Sequence, residues 1–183
     1  MKLLRGDGLA LVRGGRPLFE GLHLHLDCGE ALHIAGPNGS GKSSLIRLVA
    51  GLLEPNSGRI ERAEVALADE GLALDRELPL GRALTYWNGP RLNEAMAAYA
   101  LGDLADVPVR LLSTGQAKRA RLARVMASGA PLWLLDEPLN GLDRKGVEEL
   151  DAAIAAHRAA GGAVLAASHA PLAGDWHMLE LGA

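Results

Sequence analysis

The segment Gly36-Pro37-Asn38-Gly39-Ser40-Gly41-Lys42-Ser43 has residue types and a spacing suited to binding phosphate. It fits G-x-x-x-x-G-K-[ST] and lies between a short apolar segment and a helical pattern, the context that this motif requires. Its glycines let backbone N–H groups converge on phosphate oxygens, and the following helix adds partial positive charge. Lys42 is expected to reach the β- and γ-phosphates, and the Ser43 hydroxyl to hold Mg²⁺. The motif, extended to Ser44, predicts binding of a nucleoside triphosphate.

Two adjacent carboxylates, Asp136 and Glu137, follow the apolar segment Leu132-Trp133-Leu134-Leu135. Open α/β sheets bind ligands beyond the carboxyl ends of their strands. There an aspartate can contribute to the Mg²⁺ shell, while a neighbouring glutamate accepts a proton from an attacking water. The alternative is an ordinary solvated strand end.

The uncharged segment Ser113-Thr114-Gly115-Gln116 begins a helix and has two interpretations. It matches the capping box S-x-x-Q, which would make it only a well-capped helix start. However, glycine in a first turn costs on the order of 1 kcal/mol, so the missing side chain indicates that something approaches the backbone. The second interpretation is a neutral anion site. Because one chain needs only one phosphate loop, that site implies a second chain.

Strand and helix patterns alternate along the chain and predict the scaffold. Leucine and histidine alternate over 22–26, as in a strand with one solvated face, whereas 31–35, 132–135 and 163–168 are typical of buried strands. Helical patterns separate the buried strands, so we expect a parallel α/β sheet. We predict one domain over 1–183, with a small helical lobe inserted at about 78–129.

Composition excludes several classes of function. The 183 residues, 49% of them hydrophobic, suffice for one core. A net charge of −3 argues against an electrostatic nucleic-acid interface. The single cysteine, Cys28, cannot form an internal disulfide and favours a reducing compartment. Neither a signal peptide nor a membrane span is expected, because no apolar run is long enough.

Five motifs, GPNGSGKS, LSTGQ, LWLLDEP, LNGLD and the strand-terminal Ser168-His169, occur in the order found in the nucleotide-binding subunits of ABC transporters, which the chain resembles from about Leu9 onward. The resemblance implies a P-loop ATPase fold, with a mixed, mainly parallel central sheet and amino-terminal antiparallel strands. It also implies ATP and Mg²⁺ as ligands. In this family, two copies form a head-to-tail dimer that clamps the γ-phosphate between one copy's phosphate loop and the other's LSGGQ-type helix.

The same resemblance assigns roles to individual residues. It implies that Glu137 is the general base, that His169 contacts the γ-phosphate and that Asp143 couples the two sites of the dimer. Thr114 replaces the first of the family's two glycines. Glu70 occupies the position of a glutamine that senses Mg²⁺ and water, which predicts slow or tightly gated turnover. Arg13 occupies the position of an aromatic residue that stacks on adenine; a guanidinium can also stack.

Local matches such as LLSTGQAKRARLAR and AASHAPL are similar to the ATP-binding subunits of bacterial haem exporters of cytochrome c maturation. This resemblance implies a polytopic membrane partner, a location on the cytoplasmic face of the inner membrane and a role in haem export or in releasing a haem-loaded chaperone. Direct haem ligation is not expected. The histidines at 23, 25, 33 and 177 are interpreted as solvated strand residues, and Lys118, Arg119, Arg121 and Arg124 as a solvated helix face rather than a nucleic-acid site.

Three other functions remain as alternatives. One is a soluble ABC ATPase acting on nucleic acid or ribosomes, although the sequence has no basic stripe, second cassette or coiled-coil insertion to support it. Another is a nucleotide-dependent switch with little hydrolysis, suggested by Glu70 and Arg13. A simple P-loop kinase fits least well, because it leaves LSTGQ and His169 without a role.

Overall fold

The computed structural model describes residues 1–71, 73–87 and 89–182 as two sheets with helices packed against them. The strands are β1 (Lys2–Arg13), β2 (Arg16–Asp27), β3 (Ala31–Ala35), β4 (Ser57–Arg62), β5 (Val65–Ala68), β6 (Leu132–Asp136), β7 (Ala163–Ala167) and β8 (His177–Glu180). The helices are α1 (Lys42–Val49), α2 (Leu80–Thr85), α3 (Leu92–Ala98), α4 (Thr114–Ser128) and α5 (Arg144–Ala159). Short 3-10 turns cover Gly102–Leu104 and Val109–Leu111.

The central sheet has five strands in the order β5-β6-β7-β3-β8. All pairings described between them are parallel. Strands β6 and β7 are buried along their whole length, and β3 is buried except at its last residue. Helices cover both faces of such a sheet, which explains why these strands are continuously apolar. The predicted parallel α/β core is confirmed.

A separate antiparallel sheet has the strand order β2-β1-β4. Strands β1 and β2 are joined by Gly14 and Gly15, whose φ angles of 56° and 75° suit a tight hairpin turn. His23 and His25 lie on its exposed face on either side of the buried Leu24, as the alternation predicts. The antiparallel strands are therefore a layer of their own rather than part of the central sheet.

The central sheet separates two hydrophobic clusters. In β6, Leu132 and Leu134 pack with α1 and the antiparallel sheet, whereas Trp133 and Leu135 pack with the other four helices. Successive side chains of a strand point to opposite faces, so one short strand contributes to both clusters. The central sheet is thus the middle layer that fixes the positions of the elements around it.

Helices α2 and α3 pack against α4, and α4 in turn contacts β5. Tyr99 and Leu101, which follow α3, are fully buried and join these helices to the core. Their arrangement is compatible with an inserted lobe, whose limits of about 78–129 stay a prediction. Within the described part of the chain, every helix is too short or too polar to cross a membrane.

Candidate nucleotide site

Three neighbouring strands of the central sheet end at one cleft of about 640 Å³. Strand β3 leads into the phosphate-loop motif, β7 into Ser168 and His169, and β6 into Glu137. The cleft is lined by Arg13, Leu18, Asn38, Gly39, Gly41, Lys42, Ser43, Ser44, Glu70, Glu137, Asn140 and His169. The carboxyl edge of the parallel sheet thus brings together residues from distant parts of the sequence.

The phosphate-loop motif connects β3 directly to α1. Gly36 has a φ of 143°, and a Cβ atom there would collide with the carbonyl oxygen of Leu181. Gly41, with a φ of 103°, immediately precedes Lys42, the first residue of α1. The ammonium group of Lys42 donates hydrogen bonds to the carbonyl oxygens of Gly36 (2.7 Å) and Pro37 (3.0 Å). The lysine is therefore folded over the loop, beside the start of the helix where anions bind.

Ser43 and Asp136 meet at the base of the cleft, where the serine Oγ donates to the aspartate Oδ1 at 3.0 Å. Burial raises the pKa of Asp136, and the hydrogen bond from Ser43 opposes this shift. Among the residues that the structure describes, no group of three or more His, Cys, Asp or Glu side chains is placed to hold a metal ion. A hydroxyl with one carboxylate instead suits Mg²⁺, which takes few protein ligands when phosphates supply the others.

Glu137 has an unusual backbone conformation, with a φ of 47°. Its N–H donates to the carbonyl oxygen of Ala167 (2.8 Å), which ties it to the end of β7. Its carboxylate Oε1 lies 3.4 Å from Nε2 of His169. The carboxylate is largely buried, whereas the imidazole is half exposed. The pair thus faces the same cleft as Lys42, with a carboxylate that can accept a proton next to an imidazole that can contact a phosphate.

The LSTGQ segment forms the predicted capping box. The Ser113 Oγ accepts from the N–H of Gln116 (3.3 Å), and the Gln116 Oε1 accepts from the N–H of Ser113 (2.9 Å). A Cβ atom on Gly115 would lie 3.2 Å from the carbonyl oxygen of Gly141, so part of the expected close approach comes from this chain itself. None of the segment's residues, Thr114 included, is among the described residues that line the cleft. A contact with a partner's ATP stays a prediction.

Asp143 lies apart from the cleft lining and caps α5, where its Oδ1 accepts from the N–H of Gly146 at 2.8 Å. Its role in coupling two sites stays a prediction. Glu70 and Arg13 do line the cleft, and both are exposed there. Asn140 lines it too and was not predicted, although it belongs to the LNGLD motif.

The interpretation of the basic residues of α4 as a solvated face is wrong for Lys118. This side chain is only 3% exposed, and its Nζ donates to the carbonyl oxygen of Glu137 at 2.7 Å. The spacing contained a signal, because Lys118, Leu122 and Val125 share one helix face and all are buried. Arg121 also turns inward and donates to the carbonyl oxygens of residues 69 and 70.

The other two basic side chains of α4 are likewise engaged. Arg124 donates to the carbonyl oxygen of Leu67 and lies 4.7 Å from the Trp87 ring centroid. Arg119 lies 3.7 Å from the carboxylate of Glu149 on α5. This face of α4 is therefore packed against neighbouring elements rather than presented to solvent.

The interpretation of His33 as a solvated strand residue is also wrong. His33 is buried on β3, and its Nε2 is 2.8 Å from the carbonyl oxygen of Ser168, to which it must donate because a carbonyl only accepts. It packs edge-on against Trp176. The histidine thereby anchors the backbone next to His169, a contact that depends on β3 and β7 being neighbours. His177 is exposed, as predicted.

Comparison with known proteins identifies the family of this chain. Residues 19–140 match the family model described as ABC transporter. The chain is 58% identical to the "Cytochrome c biogenesis ATP-binding export protein CcmA" of Sphingopyxis alaskensis over 178 residues, which cover 93% of this chain and 92% of that protein. It is 59% identical over 167 residues to the protein of the same name from Novosphingobium aromaticivorans, with 90% and 87% covered.

Solved structures support the fold. A putative ABC transporter ATP-binding protein from Pyrococcus furiosus superposes with a TM-score of 0.85 at 20% identity, covering 99% of this chain and 98% of that one. An ATP-binding subunit of an ABC transporter gives a TM-score of 0.82 at 24% identity, covering 91% and 79%. At these identities the likeness concerns architecture alone.

Proposed function

This chain belongs to the ABC transporter family as an ATP-binding, ATP-hydrolysing subunit, and from that premise we propose that it powers an export step of c-type cytochrome biogenesis. The single observation behind this choice is the identity of 58% and 59% to two export proteins named for that process, over nearly the whole chain. By the resemblance noted in the sequence, the step exports haem or releases a haem-loaded chaperone.

The geometry of the cleft supports an assignment of hydrolytic roles. ATP places its phosphates on the loop before α1, where Lys42 leaves its two carbonyl partners to reach the β- and γ-phosphates. Glu137 accepts a proton from water as the water oxygen bonds to the γ-phosphorus and the bond to the ADP oxygen breaks. His169, 3.4 Å from that carboxylate, contacts the γ-phosphate. The products are ADP and inorganic phosphate.

Ser43 and Asp136 are the residues that would hold Mg²⁺, with Glu70 as a further oxygen donor at the rim of the cleft. When bound, Mg²⁺ neutralises charge that develops on the phosphate oxygens. The hydroxyl and carboxylate already lie 3.0 Å apart, so these oxygens need little rearrangement. The additional carboxylate of Glu70 adds negative charge near the phosphates, which supports slow or tightly gated turnover.

The cleft accounts for only part of the family's ATP site, so we propose that a second copy completes it. We propose the amides at the start of α4 as a neutral anion site, and Ser113 is exposed at this helix tip. A head-to-tail dimer places this tip, with Thr114, Gly115 and Gln116, against the γ-phosphate of the other copy. Asp143, beside the loop that follows Glu137, couples the two sites.

A polytopic membrane subunit is the proposed second partner, on the cytoplasmic face of the bacterial inner membrane. The face that would meet it is the helical lobe, where Tyr86 is 81% exposed and Leu111 is 61% exposed. A groove of about 310 Å³ beside Tyr86 and Trp87 adds apolar surface. Exposed aromatic side chains at a groove are typical of protein interfaces. The lobe is linked to the cleft through Arg121, which holds the backbone at residue 70.

The test is Glu137→Gln, with Glu148→Gln on the exposed face of α5 as the matched control. We expect the glutamine at 137 to lower the ATPase rate by on the order of 10²- to 10⁴-fold, because proton transfer to the base is lost. ATP binding should persist, and the control should hydrolyse ATP at the wild-type rate. A wild-type rate for the Glu137 variant would contradict its role as general base.

The cellular role needs a second measurement. In bacteria that lack this protein, the wild-type chain should restore haem-stained c-type cytochromes, whereas Glu137→Gln should not. Full restoration by a hydrolysis-deficient variant would favour the nucleotide-dependent switch. No loss of c-type cytochromes without the protein would reject the export role and leave the ATP site intact.

A further inference from the structure

The ammonium group of Lys118 is buried against the backbone of the proposed general base. Its Nζ donates to the carbonyl oxygen of Glu137 at 2.7 Å, and the side chain is only 3% exposed. Lysine is almost never fully buried unless it is paired. Lys118 lies in the second turn of α4, so this bond connects the helix that LSTGQ begins with the end of β6. Apolar packing alone does not explain why this charged group is buried here.

The peptide groups of Glu137 are held from both sides. Its φ of 47° is left-handed, a conformation that is unfavourable for a residue with a side chain. Its N–H is bound by the Ala167 carbonyl oxygen at 2.8 Å, and its own carbonyl oxygen accepts from Lys118 and, at 3.3 Å, from the N–H of Asn140. Because these peptide groups set the direction of the Cα–Cβ bond, they decide where the carboxylate points.

The carboxylates near Lys118 favour its protonated form. Burial lowers the pKa of Lys118 to about 8, Arg121 adds to the lowering, and the carboxylates of Asp136, Glu137 and Glu70 oppose it. The lysine is therefore mostly protonated at neutral pH. Its bond to the carbonyl oxygen is charge-assisted and stronger than a bond between neutral groups.

We propose that Lys118 is a positioning residue for ATP hydrolysis, which holds the main chain of Glu137 in the left-handed conformation that directs its carboxylate into the cleft. Lys118 is not among the described residues that line the cleft, and its hydrogen bond is to the main chain of Glu137, so it acts through Glu137. The inference rests on the proposed function, because it requires Glu137 to be the general base.

The first test measures steady-state ATP hydrolysis by the full chain with Lys118→Met, Lys118→Arg and the exposed control Lys2→Met. We expect Lys118→Met to lower kcat on the order of 10- to 100-fold with little change in KM, because a misplaced base slows chemistry but not binding. Lys118→Arg, which keeps a charged donor, should recover part of the rate, and Lys2→Met should match the wild type. Wild-type kcat in Lys118→Met, or a loss confined to KM, overturns the proposal.

The second test separates positioning from a general contribution to the fold. In single-turnover reactions, adding Lys118→Met to Glu137→Gln should cost little further rate, since there is no base left to position. An equal loss in both backgrounds overturns the proposal. If Lys118→Met does not fold, Lys118→Gln takes its place, because it keeps a donor without the charge. A wild-type rate for Glu137→Gln alone would instead reject the proposed function.

Discussion

At the scale of single residues, two positions of the phosphate loop favour glycine for different physical reasons. Gly36 is enclosed, because a Cβ atom would collide with the Leu181 carbonyl oxygen and lie 2.8 Å from Ser40 Oγ. Gly39 also has a positive φ, of 79°, but among the described residues other than its chain neighbours, no atom lies within 4 Å of the position of its Cβ. The first glycine serves the packing of the loop, whereas the second leaves the backbone open to a phosphate.

This difference predicts different effects for two alanine variants. Gly36→Ala should lower the free energy of unfolding by about 1–3 kcal/mol without nucleotide, because the loop must shift. Gly39→Ala should lower the free energy of unfolding by about 1 kcal/mol because of its backbone conformation. It should also weaken ATP binding. Chemical denaturation and nucleotide titration measure the two effects. Equal stability of Gly36→Ala and the wild type would contradict the enclosed position of Gly36.

At the scale of elements, α5 is attached to the central sheet by a stacked pair. The ring of His157 on α5 lies 3.9 Å from that of Trp133 on β6, with an interplanar angle of 11°. A Cβ atom on Gly162, at the turn into β7, would collide with the imidazole, so the turn closes tightly over it. Burial lowers the pKa of His157 below its usual 6.5. The neutral imidazole is therefore the form that the packed helix accommodates.

The stability of the fold should consequently depend on pH through His157. Between its folded pKa and pH 6.5, this histidine binds a proton in the unfolded chain but stays neutral in the folded chain. Its contribution to the free energy of unfolding is therefore complete above pH 6.5 and is lost as the pH falls toward the folded pKa. Urea unfolding between pH 7.5 and 5.5 should show a steeper loss of stability for the wild type than for His157→Phe. His25→Phe, at an exposed position, is the control and should keep the wild-type slope. Identical slopes for all three proteins would contradict the assignment.

At the scale of the whole molecule, the phosphate loop and the LSTGQ helix tip occupy different places on one chain. Lys42, Glu137 and His169 line the cleft, whereas residues 113–116 are absent from its described lining. In the proposed head-to-tail dimer, one copy presents two incomplete halves of an ATP site. Two copies related by a twofold axis can complete both sites at once, since the same pair of surfaces meets twice.

Complementation between two inactive variants tests this arrangement. Lys42→Ala removes the phosphate-loop half, and Ser113→Arg obstructs the helix tip. Each alone should be inactive, whereas an equimolar mixture should recover about a quarter of the wild-type rate, because half of the dimers contain one intact shared site. The ATPase rate of the mixture, against each variant at the same total concentration, is the measurement. No recovery, or a fully active Ser113→Arg, would contradict the shared site.

Local interactions made much of this protein predictable from its sequence. The strand-loop-helix around Lys42, the capping box at Ser113 and the Asp143 cap of α5 each depend on residues close in sequence, so their types and spacing were enough. The apolar strands β3, β6 and β7 were equally evident, because a sheet covered on both faces requires continuous burial. Together these patterns predicted the parallel α/β core and the phosphate loop, whereas the roles of His169, Glu70 and Arg13 came from the family resemblance.

Only the tertiary structure decided which distant groups are partners. The burial of Lys118 against Glu137, the bond from His33 to Ser168 and the approach of Gly141 to Gly115 join segments that the sequence leaves apart. Charge and polarity led to the wrong expectation for Lys118 and His33, since lysine is mostly exposed in proteins and histidine is intermediate in burial. A buried polar side chain is stable only where the fold supplies its hydrogen-bond partner, and that partner is set by strand order and helix packing.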